Sequence, residues 1–313
     1  MSWLKLLCYF YFHVMSFSFA QIPDKFEKVR LSKLKLFTVN NASLWLATPD
    51  WEAYKNYPGA DWYQQVWNNH HFNDMQQIEI ETTMTYLKRS SPTGHCLYIQ
   101  FGSHLGVFNF VAAKVGCRTI AIDAYSPHHH FVKLSMQLNQ ISPVNFQTVW
   151  AAGASTHGGT VKFSSNRIVE GDSNEPGAVD VPTTSLDQLI EQHPIHKGEN
   201  VYISLDTEGS ETSIIEGGKR TIMSKKVKVF CIEVWHFRNS KAQDNGALSV
   251  LYDSGYEAFV YHNNKLTKQI PKSEMLSGHR RNIFCNVMNQ YDNCLEDVYF
   301  LLPGLIKHFH HHH

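Results

Sequence analysis

From Cys96 onward the chain alternates two patterns of apolar and polar positions. Short runs that are apolar nearly throughout, "CLYIQF", "RTIAIDA", "VNFQTVWAA", "NVYISLD" and "VKVFCIEVW", read as strands. Between them lie "LGVFNFVAAKVG", "SPHHHFVKLSMQLNQ", "SLDQLIEQH" and "SETSIIEGGKRTIMSK", whose apolar residues recur every three to four positions and read as helices. Strands without a polar face are buried on both sides, so the alternation predicts an α/β fold with a mostly parallel sheet between two helical layers. After a short helix near Ala247 to Ser254 come two more strand-like runs, "YEAFVYHN" and "RNIFCNVMN", with no helix between them. The second is therefore expected to enter antiparallel. These elements define a domain over 91–290. Ahead of it, 21–90 reads as an irregular extension with Trp45, Trp51, Trp62 and Trp67 among polar residues, ending in an amphipathic helix, "MQQIEIETTMTYLKRS". Behind it, 291–313 reads as a tail with a histidine-rich end.

The first twenty residues form a separate segment. "MSWLKLLCYFYFHVMSFSFA" carries Lys5, then an apolar stretch, then Ser18-Phe19-Ala20 with small residues at the two positions that a signal peptidase reads. It is read as a secretory signal cleaved after Ala20, giving a secreted or lumenal protein. The alternative is an uncleaved anchor through residues 4–20, as in a single-pass type II membrane protein. Asn41-Ala42-Ser43 is a glycosylation triplet that such a compartment would make usable. Cys96, Cys117, Cys231 and Cys285 lie in or beside apolar runs and are expected as core thiols; with Cys294 they leave an odd count after the signal. No cysteine or histidine pair has metal-ligand spacing, and no metal is assigned.

Composition narrows the partners. The 313 residues carry 28 basic and 28 acidic side chains, a formal net charge of zero, and 43% hydrophobic residues. There is no global attraction to nucleic acid, and the basic cluster Lys225, Lys226 and Lys228 is too short to supply a local one.

The chemistry gathers at strand ends. In a parallel sheet, ligands sit at the carboxyl ends of the strands where the strand order reverses. After the first such strand, "GSHLG" places Gly102 and Gly106 four apart at the start of a helix, where backbone can approach a ligand closely. Asp123 ends the next strand, 21 residues after Gly102, close to the roughly 20 expected for a carboxylate that accepts ribose hydroxyls. A GxGxxG would favour a dinucleotide, whereas this spacing favours S-adenosylmethionine. Packing alone is the plainer alternative for the two glycines. After "NVYISLD", the carboxylates of Asp206 and Glu208 stand two apart on a turn and are candidates for a general base or, jointly, for a divalent ion, though the sequence supplies no third ligand. Asp206 could instead cap the following helix. Glu233 and His236 follow the fifth strand at the pocket rim. His104 is expected to face solvent or cap its helix, and His128, His129 and His130 to lie on the surface.

Taken in order, "YIQFGSHLGVFNFVAAKVG", "IAIDAYSP", "VNFQTVWAAGASTHGGTVKF", "VPTTSLDQLI", "VYISLDTEGSETSIIEGGKRTI" and "VFCIEVW" resemble the FkbM family of class I methyltransferases, and "LDTEGSE" is similar to its Asp-x-Glu-Gly hallmark. The resemblance implies a Rossmann-like, seven-stranded, mostly parallel sheet with a last antiparallel strand. It also implies S-adenosylmethionine as cofactor and methyl transfer to an oxygen, often of a sugar or small metabolite. Carried over by position, Gln100, Gly102, Gly106 and Asp123 would contact the cofactor, and Asp206 and Glu208 would be catalytic. Gln100 departs from the family, which usually has aspartate there. A glutamine keeps an acceptor but brings no charge, so the competing expectation is a domain without turnover that serves as a binding or trafficking module.

Overall fold

The chain is described here from a computed structural model covering residues 29–35, 43–49, 74–164, 167–169, 178–234, 245–262, 265–276 and 297–306. It begins with an antiparallel hairpin, β1 (Val29–Lys35) and β2 (Ser43–Pro49), followed by helix α1 (Asp74–Ser90). Then come β3 (Cys96–Phe101), α2 (Val107–Val115), β4 (Arg118–Asp123), α3 (Ser126–Leu138) and β5 (Phe146–Trp150). Short strands β6 (Ala152–Gly153), β7 (Thr160–Ser164), β8 (Arg167–Val169) and β9 (Val179–Thr184) form a small side sheet. The main fold resumes with α4 (Leu186–Gln192), β10 (Asn200–Leu205), α5 (Glu211–Glu216), α6 (Lys219–Met223) and β11 (Val227–Glu233). It closes with α7 (Asn245–Asp253), β12 (Glu257–His262), β13 (Lys265–Ile270), α8 (Lys272–Met275) and β14 (Asp297–Leu301).

The main sheet runs β13-β12-β14-β11-β10-β3-β4-β5. Strands β11, β10, β3, β4 and β5 are mutually parallel, and β14 is antiparallel to both its neighbours. From β3 the chain first builds outward through β4 and β5, then returns to lay β10 on the other side of β3. The order therefore reverses between β3 and β10, which places a crevice at their carboxyl ends.

The apolar runs are buried on both faces, as their pattern predicts. On β3, Leu97, Ile99 and Phe101 pack with Ile203, Leu205, Leu189, Ile214 and Leu248 on one side. Cys96 and Tyr98 face the other, with Met84 and Leu87 of α1, Phe110 of α2 and Phe131 of α3. Helix α2 ends where expected, at Gly116 with φ 92°, a left-handed conformation that suits glycine.

Three expectations change. The sheet has eight strands rather than seven among the described residues, and two run antiparallel, β14 and the edge strand β13, whereas "RNIFCNVMN" lies outside the described residues. Because β14 sits between β11 and β12, part of the expected tail 291–313 belongs to the sheet, and the domain does not close at 290. Its hydrogen bonds come from two strands distant in sequence, which a local pattern does not reveal. In 21–90 the expected amphipathic helix is α1, which lies on the sheet with Asn200 Nδ2 donating to the Leu87 carbonyl at 2.8 Å, while the hairpin β1–β2 was not expected, and β2 docks on α3 through Ala47 N–H to Ser135 Oγ at 2.8 Å.

The third change concerns the thiols. Cys96 and Cys117 are joined in a disulfide, not held as separate core thiols. Parallel pairing sets Leu97 beside Arg118, so the residues just before them meet at the amino edge of the sheet. Cys231 is a buried free thiol. Cys285, Cys294, the signal segment, Asn41 and the terminal histidines lie outside the described residues. Among the described residues no helix is long and apolar enough to cross a membrane.

Candidate active site

The glycine turn and the β10 loop meet through bare backbone. Gly102 has φ 78° and Gly106 φ 69°. The Gly102 and Ser103 amides both donate to the Ile122 carbonyl at 2.9 Å, and the Asp206 amide donates to the Phe101 carbonyl at 3.1 Å. A Cβ on Gly102 would lie 1.6 Å from the Asp206 carbonyl oxygen, so only glycine permits this approach. Gly106 opens α2 and provides no side-chain cap. Gln100, one residue before the end of β3, is 4% exposed, and its Oε1 has no hydrogen-bond partner. A buried acceptor without a donor carries a desolvation cost of about 1–3 kcal/mol, which an N–H donor on a ligand would relieve.

Asp123 ends β4 and is only 8% exposed. Its Oδ2 accepts from the His104 amide at 2.6 Å. Its Oδ1 accepts from the Tyr125 amide at 2.8 Å and lies 3.1 Å from His128 Nδ1. Burial pushes the Asp123 carboxyl up, but His128, through its charge and its hydrogen bond, together with the Tyr125 amide, holds it below the usual range. His104 is held neutral: burial first, then His128, pushes it down to about 3. These placements correct two expectations. His128 is buried rather than on the surface. His104 does not simply face solvent: its amide binds Asp123 while its ring packs on His128, with centroids 4.2 Å apart.

Asp206, Glu208 and Glu233 bring one oxygen each within 4.8 Å of one another. Asp206 and Glu208 are exposed at the carboxyl end of β10, and Glu233 is half-buried. The loop between them is tied by Glu211, whose carboxylate accepts from the Thr207 amide and hydroxyl at 2.7 Å and from the Gly209 amide at 3.1 Å. Glu211 thus ties the loop ahead of α5, whose cap position is Ser210 rather than Asp206. Glu208 sits at φ 57°, an uncommon conformation for a non-glycine residue that aims its side chain toward the other two carboxylates. Glu233, expected at the pocket rim and standing at the end of β11, supplies the third carboxylate, whose meeting with the other two the sequence did not show. Three oxygens so spaced would also suit a divalent ion. His236 lies outside the described residues.

Both Asp206 and Glu233 are held well above the usual carboxylate range, chiefly by burial. For Asp206 the charges of Asp297, Glu208 and Glu211 add to this, while a hydrogen bond with Glu233 opposes it. For Glu233 the main additions are Asp206 and Glu208. Glu233 Oε2 is buried with no partner. A charge left there would be uncompensated, so Glu233 keeps the proton and Asp206 gives it up first. In the unfolded chain both groups titrate near pH 4, as reference values require. With the folded values raised, their contribution to stability is fully present below about pH 4 and is lost as pH rises through the neutral and alkaline range. Glu233→Gln, which mimics the protonated acid, is expected to flatten this decline. Thermal midpoints measured from pH 5 to pH 9 check it, and an unaltered slope would show that Glu233 holds no shared proton.

A mostly parallel sheet with a last antiparallel strand, a glycine turn after β3 and acids ending β4 and β10 defines a Rossmann-like class I methyltransferase, an enzyme that uses S-adenosylmethionine. Residues 99–265 match the methyltransferase FkbM domain, and the chain belongs to that family. Solved structures similar to it include a precorrin-6y C5,15-methyltransferase from Geobacter metallireducens, at 10% identity and TM-score 0.33, covering 71% of this chain and 88% of that one. Others are a SAM-dependent methyltransferase from Agrobacterium tumefaciens (11%, TM-score 0.36, 76% and 60% covered) and TrmK from M. capricolum with S-adenosylhomocysteine (9%, 0.32, 71% and 68%). The search of curated proteins finds no match.

The residues present fit the cofactor. S-adenosylmethionine carries N–H donors that Gln100 Oε1 lacks, and hydroxyls suited to an ordered carboxylate at the end of β4.

Proposed function

We propose that this enzyme methylates a hydroxyl oxygen of a sugar or other small molecule in the secretory pathway. The observation that carries the chemistry is the Asp206–Glu233 pair beside the glycine turn: a carboxylate open to the cleft, with its proton affinity raised toward neutrality. An acceptor hydroxyl must lose a proton as the methyl arrives, and a base is most effective when its pKa lies near working pH. When bound, S-adenosylmethionine supplies an electrophilic methyl on a sulfonium. This chain's part is to orient the acceptor, exclude water and take the proton on Asp206, with Glu233 holding that carboxylate in place.

The compartment is supported by the apolar segment ending at Ala20 and by the Cys96–Cys117 bond, since disulfides persist in oxidising surroundings. The test is to incubate the secreted or membrane-extracted full chain with methyl-labelled cofactor and a panel of sugars, glycans and small alcohols. Label on oxygen supports the reading, whereas label on nitrogen or carbon overturns it. Sequencing the same material is expected to find Gln21 at the amino terminus, and retention of Met1 to Ala20 would replace secretion with an anchor.

A further inference from the structure

We propose that His128 is the residue that positions Asp123 for the cofactor, and that the clamp it forms limits Asp123 to one ribose hydroxyl. The proposal rests on the reading that Asp123 meets the ribose.

A carboxylate has about four lone-pair sites. In Asp123, Oδ1 already faces two donors, the Tyr125 amide at 2.8 Å and His128 Nδ1 at 3.1 Å. Oδ2 accepts one, from the His104 amide at 2.6 Å. One site remains, on Oδ2. A bidentate contact with both vicinal hydroxyls, the expectation drawn from sequence, would need both oxygens open.

The clamp is built to stay. His128 lies in the first turn of α3, is 8% exposed, and packs between the His104 ring at 4.2 Å and the Tyr125 ring at 4.8 Å. His129 Nε2 lies 3.0 Å from the Asp123 carbonyl, so neighbouring histidines hold the same residue by side chain and by main chain.

The experiment is calorimetric titration of the full chain with S-adenosylhomocysteine and with its 2′-deoxy and 3′-deoxy analogues. For the parent protein, one analogue is expected to bind about 10-fold more weakly and the other nearly as well as the parent ligand, the loss being that of one hydrogen bond to a charged group. His128→Ala is expected to weaken the parent ligand by about 3- to 10-fold and to blur the difference between the analogues, because Oδ1 is released. His128→Asn places an amide N–H near the position of Nδ1 and is expected to restore both properties. Equal losses for both analogues with the parent protein would overturn the single-hydroxyl inference without any variant having to fold. If Asp123→Ala weakens binding but His128→Ala and His128→Asn both behave as the parent, His128 does not position it. If Asp123→Ala itself binds normally, the ribose reading fails, and the clamp with it.

Discussion

Asp206→Asn is expected to lower methyl transfer by about 10²- to 10⁴-fold, the usual cost of removing a general base. Asparagine keeps the shape of the side chain and can still accept from Glu233, but it cannot take a proton from a hydroxyl. The fold should survive, because the change removes one charge from a cluster in which Asp297, Glu208 and Glu211 already repel it. Thermal stability near pH 8 should therefore be equal to or above that of the parent. Binding of S-adenosylhomocysteine should be nearly unchanged, so the loss is expected in kcat more than in the cofactor's KM. Glu208→Gln is the matched control: it removes a charge from the same cluster but leaves the Asp206–Glu233 pair in place, and a much smaller loss is expected there. Steady-state rates with labelled cofactor separate the two, and an Asp206→Asn enzyme as fast as the parent would move the base elsewhere.

The second large effect is expected at Gly102. Alanine there meets two penalties. A left-handed backbone costs an L-residue roughly 1–2 kcal/mol. The added Cβ would also stand 1.6 Å from the Asp206 carbonyl oxygen, a main-chain atom that no rotamer change can move aside. Relieving that overlap means separating the β3 turn from the β10 loop, and overpacking of this kind costs about 1–3 kcal/mol more. Gly102→Ala should thus lose about 2–5 kcal/mol in denaturant unfolding, the sum of those two terms. Cofactor binding should fall even where the variant is folded, because the turn and Asp206 shift together. Gly94→Ala is the comparison: its φ is 69° but a Cβ meets nothing within 4 Å. A Gly102→Ala variant no less stable than Gly94→Ala would show that the close approach is not required.

What the sequence determined by itself was whatever depends on neighbours along the chain. Apolar runs at 96–101, 200–205 and 227–232 could only be strands buried on two faces, and the period of 107–115 could only be a helix with one apolar stripe. The glycines at 102 and 106 marked a turn, and the acids at 123 and 206 marked strand ends. Together these sufficed for the fold class and for the place where chemistry should gather. Tertiary structure decided whatever depends on register and on distant partners. Cys96 meets Cys117 because β3 and β4 pair with Leu97 beside Arg118. Residues 297–301 become an interior strand because β11 and β12 both leave an edge for them. Glu233 joins Asp206 because β10 and β11 end side by side, and His128 reaches Asp123 because α3 turns back over the end of β4. A local pattern records which face of an element is apolar. It carries no record of which polar ends the folded chain will bring together, and the character of this site, an aspartate clamped by histidine and another paired with a glutamate, lies in those meetings.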